Sequence, residues 1–149
     1  MTNKRMALAI GAAFLVSQIL AIGVHGFLLA ADYAPFYGTL LRPMDQASWQ
    51  VLFLPISHLA FVAPLVWIFS RLGLEGSTGA RGVKLGVLGW LIGQVPLWLL
   101  WHAEQPWPDF LVVKQLGYEL VSSIVIGVTI ATVSGRAQQR PAPALPAAT

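Results

Sequence analysis

The sequence predicts an all-α, polytopic membrane protein: an up-down bundle of four transmembrane helices with both termini in the cytoplasm. The 149-residue chain is 56% hydrophobic and only 10% charged, whereas a soluble domain carries about 25% charged residues. The charges also cluster between long uncharged stretches, as they do in multi-pass membrane proteins. We therefore expect one transmembrane domain, residues 1–136, followed by a disordered Pro- and Ala-rich tail, residues 137–149.

Four stretches are long enough to cross a bilayer. About 20 apolar residues at 1.5 Å each cover the roughly 30 Å of hydrocarbon. The predicted helices occupy residues 6–30, 49–69, 83–101 and 110–133. The first begins with basic residues, as a signal peptide does, but its apolar run is too long for one, so we expect it to be retained.

The positions of Lys and Arg predict the orientation. Cytoplasmic loops of membrane proteins are enriched in these residues. The side of the membrane that holds the N-terminus carries most of them. The other side, called outer below, has Arg42 and also Lys114, which lies just inside the fourth helix. We expect the Lys114 side chain to extend to the outer interface. The cytoplasmic set is Lys4, Arg5, Arg71, Arg81, Lys84, Arg136 and Arg140. The net charge of +3 reflects these loops and is no sign of nucleic acid binding.

The outer loops are aromatic. Residues 31–48 are typical of an interfacial segment that lies on the outer membrane face, where it would act as a lid on the bundle. Two interpretations fit the outer aromatic residues: a simple interfacial belt, or the wall of a pocket for an apolar or cationic ligand. These residues are Tyr33, Tyr37, Trp49, Trp98, Trp101 and Trp107.

Glycines in the third predicted helix indicate close helix packing. Association in lipid depends on small residues that let backbones approach. The glycines recur every three or four residues and so form one smooth stripe, for a contact within the subunit or between subunits: Gly82, Gly86, Gly89 and Gly93. Proline kinks are expected at Pro55, Pro64 and Pro96.

The candidate site centres on Glu119, a carboxylate inside the apolar fourth helix. Burying a carboxylate in lipid is costly, so such a group is expected to be paired or functional. Counted at 1.5 Å per residue from the outer end, Glu119 lies about 15 Å deep, His58 about 13 Å and His25 about 7 Å. Gln18 and Gln94 lie near the midplane. A polar stripe on the fourth helix has the members Gln115, Glu119, Ser122 and Ser123.

Several interpretations of this site stay open. The polar groups would hold the helices together by hydrogen bonds, or they would bind or pass a small ligand, a metal ion or a proton, since a Glu–His pair can relay protons. The residue types suit metal ligation by His25, His58, His102 and Glu119. A b-type haem held by two histidines is an alternative, with His25 and His102 best matched in depth.

The other alternative is a non-catalytic accessory or assembly subunit of a larger membrane complex, or a homo-oligomer, whose polar groups face partner helices across the lipid bilayer. No nucleophile–base arrangement is visible, so we lean against an enzyme, with no catalytic residues assigned. The chain has no cysteine, which excludes thiolate chemistry.

One resemblance adds to this interpretation. The run Val24-His25-Gly26-Phe27-Leu28-Leu29, with Tyr33, Arg42-Pro43 and Gly117-Tyr118-Glu119 further on, resembles a group of small four-helix bacterial inner-membrane proteins. The resemblance covers most of the spanning region. It implies a location in the bacterial inner membrane and no particular activity.

Overall fold

The structure, a computed structural model, describes residues 1–42 and 49–135. The described part is helical and contains no β-strand, in agreement with the predicted all-α class. The α-helices are α1 Asn3–Gly23, α2 Ala30–Tyr33, α3 Phe53–Arg71, α4 Thr78–Gly89, α5 Val95–Glu104 and α6 Asp109–Gly135. Residues 43–48 of the predicted outer loop and the predicted tail 137–149 lie outside the described residues.

Four continuous helical segments in the described residues are long and apolar enough to cross a membrane. They are Asn3–Leu28, Trp49–Arg71, Thr78–Glu104 and Asp109–Gly135, so the prediction of four such helices is confirmed. The bounds differ most at the third helix, which begins at Thr78 rather than at residue 83. Its start is earlier because the Ser77 hydroxyl caps it, accepting a hydrogen bond from the Ala80 N–H at 3.3 Å.

Two of these segments contain a π-helical turn. The first continues from α1 as Val24–Leu28, and the second, Trp90–Gln94, joins α4 to α5. In the first turn the Leu29 N–H donates to the Val24 carbonyl oxygen at 2.8 Å, five residues back. Pro96 stands in the first turn of α5, directly after the second π-helical turn, and it lacks the N–H that an unbroken α-helix would use there.

The glycine stripe lies against two neighbouring helices of the same chain. A Cβ on Gly82 would lie 2.5 Å from the Val128 Cα of α6, and one on Gly86 would lie 2.5 Å from the Ile124 Cα. Further along, a Cβ on Gly89 or Gly93 would meet side chains of α3, at 3.0 Å from Leu65 Cδ1 and 2.9 Å from Phe61 Cε2 respectively. The stripe therefore forms close contacts within the chain, one of the two possibilities that the sequence left open.

Two apolar clusters fill the bundle. One lies where α1, α3, α4 and α6 meet, and its buried members include Ala9, Ala13, Val62, Leu65, Val66, Phe69, Leu85, Ile126, Ile130 and Ala131. The other, called the loop-end cluster, contains Val24, Leu29, Tyr33, Trp98, Trp107, Leu111 and Val112.

Residues 29–42, called here the capping segment, fold back over the loop-end cluster. Leu29 leaves the helical conformation with φ −106° and ψ 0°, and this bend separates α2 from the preceding helix. Further on, Gly38 takes a φ of +82°, a left-handed conformation that glycine adopts without strain. The Gly38 N–H donates to the Leu41 carbonyl oxygen at 2.8 Å and closes the turn. The segment thus returns across the bundle instead of extending away from it.

Candidate functional site

Glu119 and His25 meet between α6 and the first π-helical turn. The Glu119 Oε1 atom lies 3.5 Å from His25 Nε2. The Glu119 side chain is 18% exposed and that of His25 is 40% exposed. The carboxylate predicted to need a partner therefore has a histidine beside it, contributed by a different helix.

Gln115 and Tyr33 extend this pair. Gln115 stands one helical turn before Glu119, is fully buried, and donates from Nε2 to Glu119 Oε1 at 3.0 Å. The buried Tyr33 of α2 donates its hydroxyl to Gln115 Oε1 at 2.6 Å. The Tyr33 ring also stacks on the His25 ring, with 5.9 Å between centroids, and its oxygen lies 3.4 Å from His25 Nδ1. These four side chains form the His25–Glu119 site.

Both ring nitrogens of His25 face hydrogen-bond acceptors. The single hydroxyl hydrogen of Tyr33 points to Gln115, so the Tyr33 oxygen presents a lone pair to His25 Nδ1. His25 Nε2 faces the Glu119 carboxylate. A neutral imidazole has one N–H and can donate to only one of them, whereas the doubly protonated ring can donate to both. The geometry therefore suits one additional proton shared by His25 and Glu119.

His58, the second histidine of the predicted site, is a more distant neighbour of Glu119 than His25 is. It lies on α3, half-buried, within electrostatic reach of both Glu119 and His25. From the depths along the helices we expected Glu119 and His58 to be neighbours, with His25 above them. In the structure it is the His25 ring that lies beside Glu119, at 3.5 Å.

The two predicted midplane amides lie outside the hydrogen-bonded site. The Nε2 atom of Gln18 is buried and, among the described residues, has no hydrogen-bond partner. Gln94 is the last residue of the second π-helical turn. The stripe predicted on α6 is buried below Glu119 as well, at Ser122 and Ser123.

Lys114 fastens the capping segment to α6. Its Nζ atom lies 2.8 Å and 3.1 Å from the two carboxylate oxygens of Asp32, and it lies over the Phe110 ring at 5.6 Å from the centroid. From the sequence we expected Lys114 to extend toward the outer interface without a named partner. The sequence did not identify Asp32 as that partner because the pair depends on the fold of the capping segment.

The third histidine forms a separate pair. His102 Nε2 lies 3.2 Å from Asp109 Oδ1, across the turn between α5 and α6, and both side chains are exposed. In residues 1–42 and 49–135, no three His, Cys, Asp or Glu side chains come together as a group that could hold a metal ion. The metal and haem hypotheses therefore gain no support from this arrangement.

The outer aromatic residues divide into two sets. Trp98 and Trp107 are buried and contact each other at 6.3 Å between centroids, and Trp107 also meets Tyr33 at 6.3 Å and Phe36 at 5.5 Å. By contrast, Trp49 is largely exposed. The buried set packs ring against ring.

A groove of about 370 Å³ lies on the surface of α6, away from the His25–Glu119 site. It is lined by Ile124, Val125, Val128, Thr129, Thr132 and Val133. None of the four site residues borders it.

The buried Tyr33 phenol is expected to make the folded protein less stable at alkaline pH. Burial, together with the nearby Glu119 carboxylate, raises the pKa of Tyr33 above its ordinary value of about 10. Above about pH 10 the unfolded chain releases this proton while the folded chain keeps it, so the free energy of unfolding falls as pH rises toward the folded pKa. We expect Tyr33→Phe to make this fall shallower, measured as unfolding in detergent from about pH 8 to 11. An equal slope in both proteins would contradict the assignment.

The four apolar helices indicate a multi-pass helical membrane protein, and the contacts above give it a His–carboxylate site near the capping segment. No family model, no curated protein and no solved structure matches the chain.

Proposed function

We propose that this chain is a bacterial inner-membrane protein whose His25–Glu119 site takes up and releases a proton on the outer side of the membrane. The observation that carries the proposal is the position of His25, with acceptors at both ring nitrogens and a carboxylate oxygen 3.5 Å from one of them. Histidine is the side chain whose ordinary charge change falls in the physiological pH range, and a neighbouring carboxylate can share its proton. The protein is proposed to bind or pass that proton rather than to act as an enzyme.

The proposed topology is an up-down bundle with both termini in the cytoplasm. It is supported by the distribution of Lys and Arg in the sequence. The two apolar clusters are also consistent with it, because the start of α1 packs with the end of α6, and the end of that first segment packs with the start of α6. In this orientation the capping segment lies on the outer side.

A proton fits the site better than a larger ligand does. The four site residues contact one another directly, at 2.6 to 3.5 Å. The groove on α6 includes none of them, and the part of the chain that the structure describes has no three-residue metal group. A proton needs only the lone pairs and N–H groups that are already in contact.

The alternative, an accessory subunit of a larger complex, has less support than the sequence gave it. The sequence left open whether the glycine stripe makes its contact within the subunit or with the helices of a partner. In the structure Gly82 and Gly86 lie against α6, while Gly89 and Gly93 meet α3. The stripe is therefore already covered by the chain itself.

Infrared difference spectroscopy on the full-length protein in lipid nanodiscs tests the proposal. Lowering the pH is expected to produce the C=O stretch of a protonated carboxylic acid, and Glu119→Gln is expected to remove that component while the protein stays folded. His25→Ala should change the pH profile of this band, because the His25 ring lies beside the carboxylate. His58→Ala should change the profile less, since His58 acts only at longer range.

Glu104→Gln is the matched control. Glu104 is an exposed carboxylate at the end of α5, so its replacement should leave the Glu119 component unchanged. If the Glu119→Gln spectrum retains every carboxylic acid band of the wild type, Glu119 is not a proton site.

A further inference from the structure

We infer that Gln115 is a positioning residue, which holds Glu119 in the carboxylate form and so directs the shared proton to His25, and that Tyr33 sets the orientation of the Gln115 amide. This inference rests on the proposed proton site and concerns how that site is regulated. It follows from the donors and acceptors of three consecutive hydrogen bonds.

The distances identify which end of the Gln115 amide faces which neighbour. The Tyr33 oxygen and the Gln115 side chain are 2.6 Å apart, a separation typical of O–H···O bonds and short for N–H···O bonds. The Gln115–Glu119 contact of 3.0 Å fits an N–H···O bond. The amide oxygen therefore faces Tyr33 and the amide nitrogen faces the carboxylate.

The reverse orientation requires a different protonation state. If the amide were turned over, its oxygen would face Glu119 Oε1, and two acceptors would meet unless that oxygen carried a proton. Tyr33 favours the observed orientation, because in it the hydroxyl donates to the Gln115 oxygen at 2.6 Å. The amide orientation is thus coupled to the charge on Glu119.

Burial strengthens the effect of the hydrogen bond from Gln115 on the charge of Glu119. Gln115 is fully buried, so its N–H groups have no access to water, and a hydrogen bond donated to a carboxylate favours the charged form. Lys114, on the same helix, pairs with Asp32 at 2.8 Å. Among the described residues, the titratable groups that interact with Glu119 include His25, Tyr33 and His58.

The pH profile of the Glu119 infrared band tests the inference. Gln115→Met keeps the length of the side chain but removes the donor. We expect the midpoint of its pH profile to differ from that of the wild type, because a hydrogen bond to a charged group is lost. Tyr33→Phe leaves Gln115 in place but frees its amide, and a smaller change is expected. Ser134→Ala removes a buried polar group further along α6 that forms no hydrogen bond to Glu119, and should leave the midpoint unchanged.

The outcomes separate the inference from the proposed function. Suppose that Glu119→Gln removes the wild-type band but Gln115→Met has the wild-type midpoint. The proton site would then be supported, and the role of Gln115 would be contradicted. A wild-type spectrum in which neither a Glu119 band nor an imidazole band removed by His25→Ala changes with pH would overturn the proton site. If Gln115→Met does not fold, Tyr33→Phe decides, since an unchanged midpoint there would contradict the coupling through the amide.

Discussion

Replacing Gly86 with valine is expected to abolish the contact between α4 and α6 and to leave little folded protein in mild detergent. Even the first carbon of a side chain at this position would lie 2.5 Å from the Ile124 Cα and would overlap the Ser123 carbonyl oxygen. These are backbone atoms of a helix, which cannot turn aside as a flexible side chain does. Overpacking of a well-fitted contact costs about 1–3 kcal/mol, and an overlap with backbone lies at or above the top of that range.

The measurement is the free energy of unfolding in mixed detergent micelles, with the helical circular dichroism signal as readout. Gly11→Val is the matched control, because a Cβ at Gly11 has no heavy atom within 4 Å and the substitution is chemically the same. We expect Gly11→Val to lie close to the wild type. Equal stability of the two variants would show that α4 and α6 do not pack through Gly86.

Trp107→Ala is expected to detach the capping segment and to cost about 3–5 kcal/mol, the usual range for a buried tryptophan. Trp107 is 4% exposed and meets Tyr33, Phe36 and Trp98, so it joins the capping segment to α5. Its indole nitrogen also donates to Gln105 Oε1 at 2.9 Å. Its removal leaves a cavity between the capping segment and α5.

A single engineered cysteine reports this detachment, since the natural chain has none. Val112→Cys places a thiol in the buried loop-end cluster, and maleimide labelling there should become fast when Trp107 is replaced. Trp101→Ala is the control, because Trp101 is 38% exposed and its one ring contact in the described part is Trp98. Slow labelling in both variants would show that Trp107 does not hold the segment in place.

Hydropathy and charge were sufficient to predict the four long helices. The reason is physical: a spanning helix must be apolar along its length, and every residue of it carries that signal. The glycine stripe was visible for a similar reason, as close backbone contact excludes side chains. The bounds were less well predicted at Thr78, where a serine cap rather than hydrophobicity begins the helix.

The site was predicted in part. Glu119 and His25 were identified because ionisable groups are rare in apolar runs. Tyr33 was assigned to the outer aromatic set rather than to the site, since its contact with Gln115 depends on the bend at Leu29, which no local pattern shows. The sequence signal for the role of Tyr33 was its position eight residues after a histidine, at the end of an apolar run. This arrangement is too common in sequences to identify a site residue.

The partner of Glu119 was uncertain for the same reason. Counting residues gives depth along a helix, and by depth His58 matched Glu119 better than His25 did. Depth says nothing about which helices are neighbours, and in the structure the helix that carries His25 packs extensively against α6.

The two π-helical turns set the rotational phase between the halves of their helices. A π-helical turn contains one residue more than an α-helical turn, and one residue corresponds to about 100° of rotation. In the segment Thr78–Glu104, the glycines before the turn face α6 and α3, while Trp98 after it points into the loop-end cluster. Because the wide turn accommodates the additional residue, deleting one residue from either turn would convert it to an ordinary α-helical turn and keep the same faces packed beyond it. A deletion elsewhere in these helices would rotate everything beyond it by about 100°. The π-helical turns are therefore the places where these two segments can change in length by one residue without changing which faces pack inward.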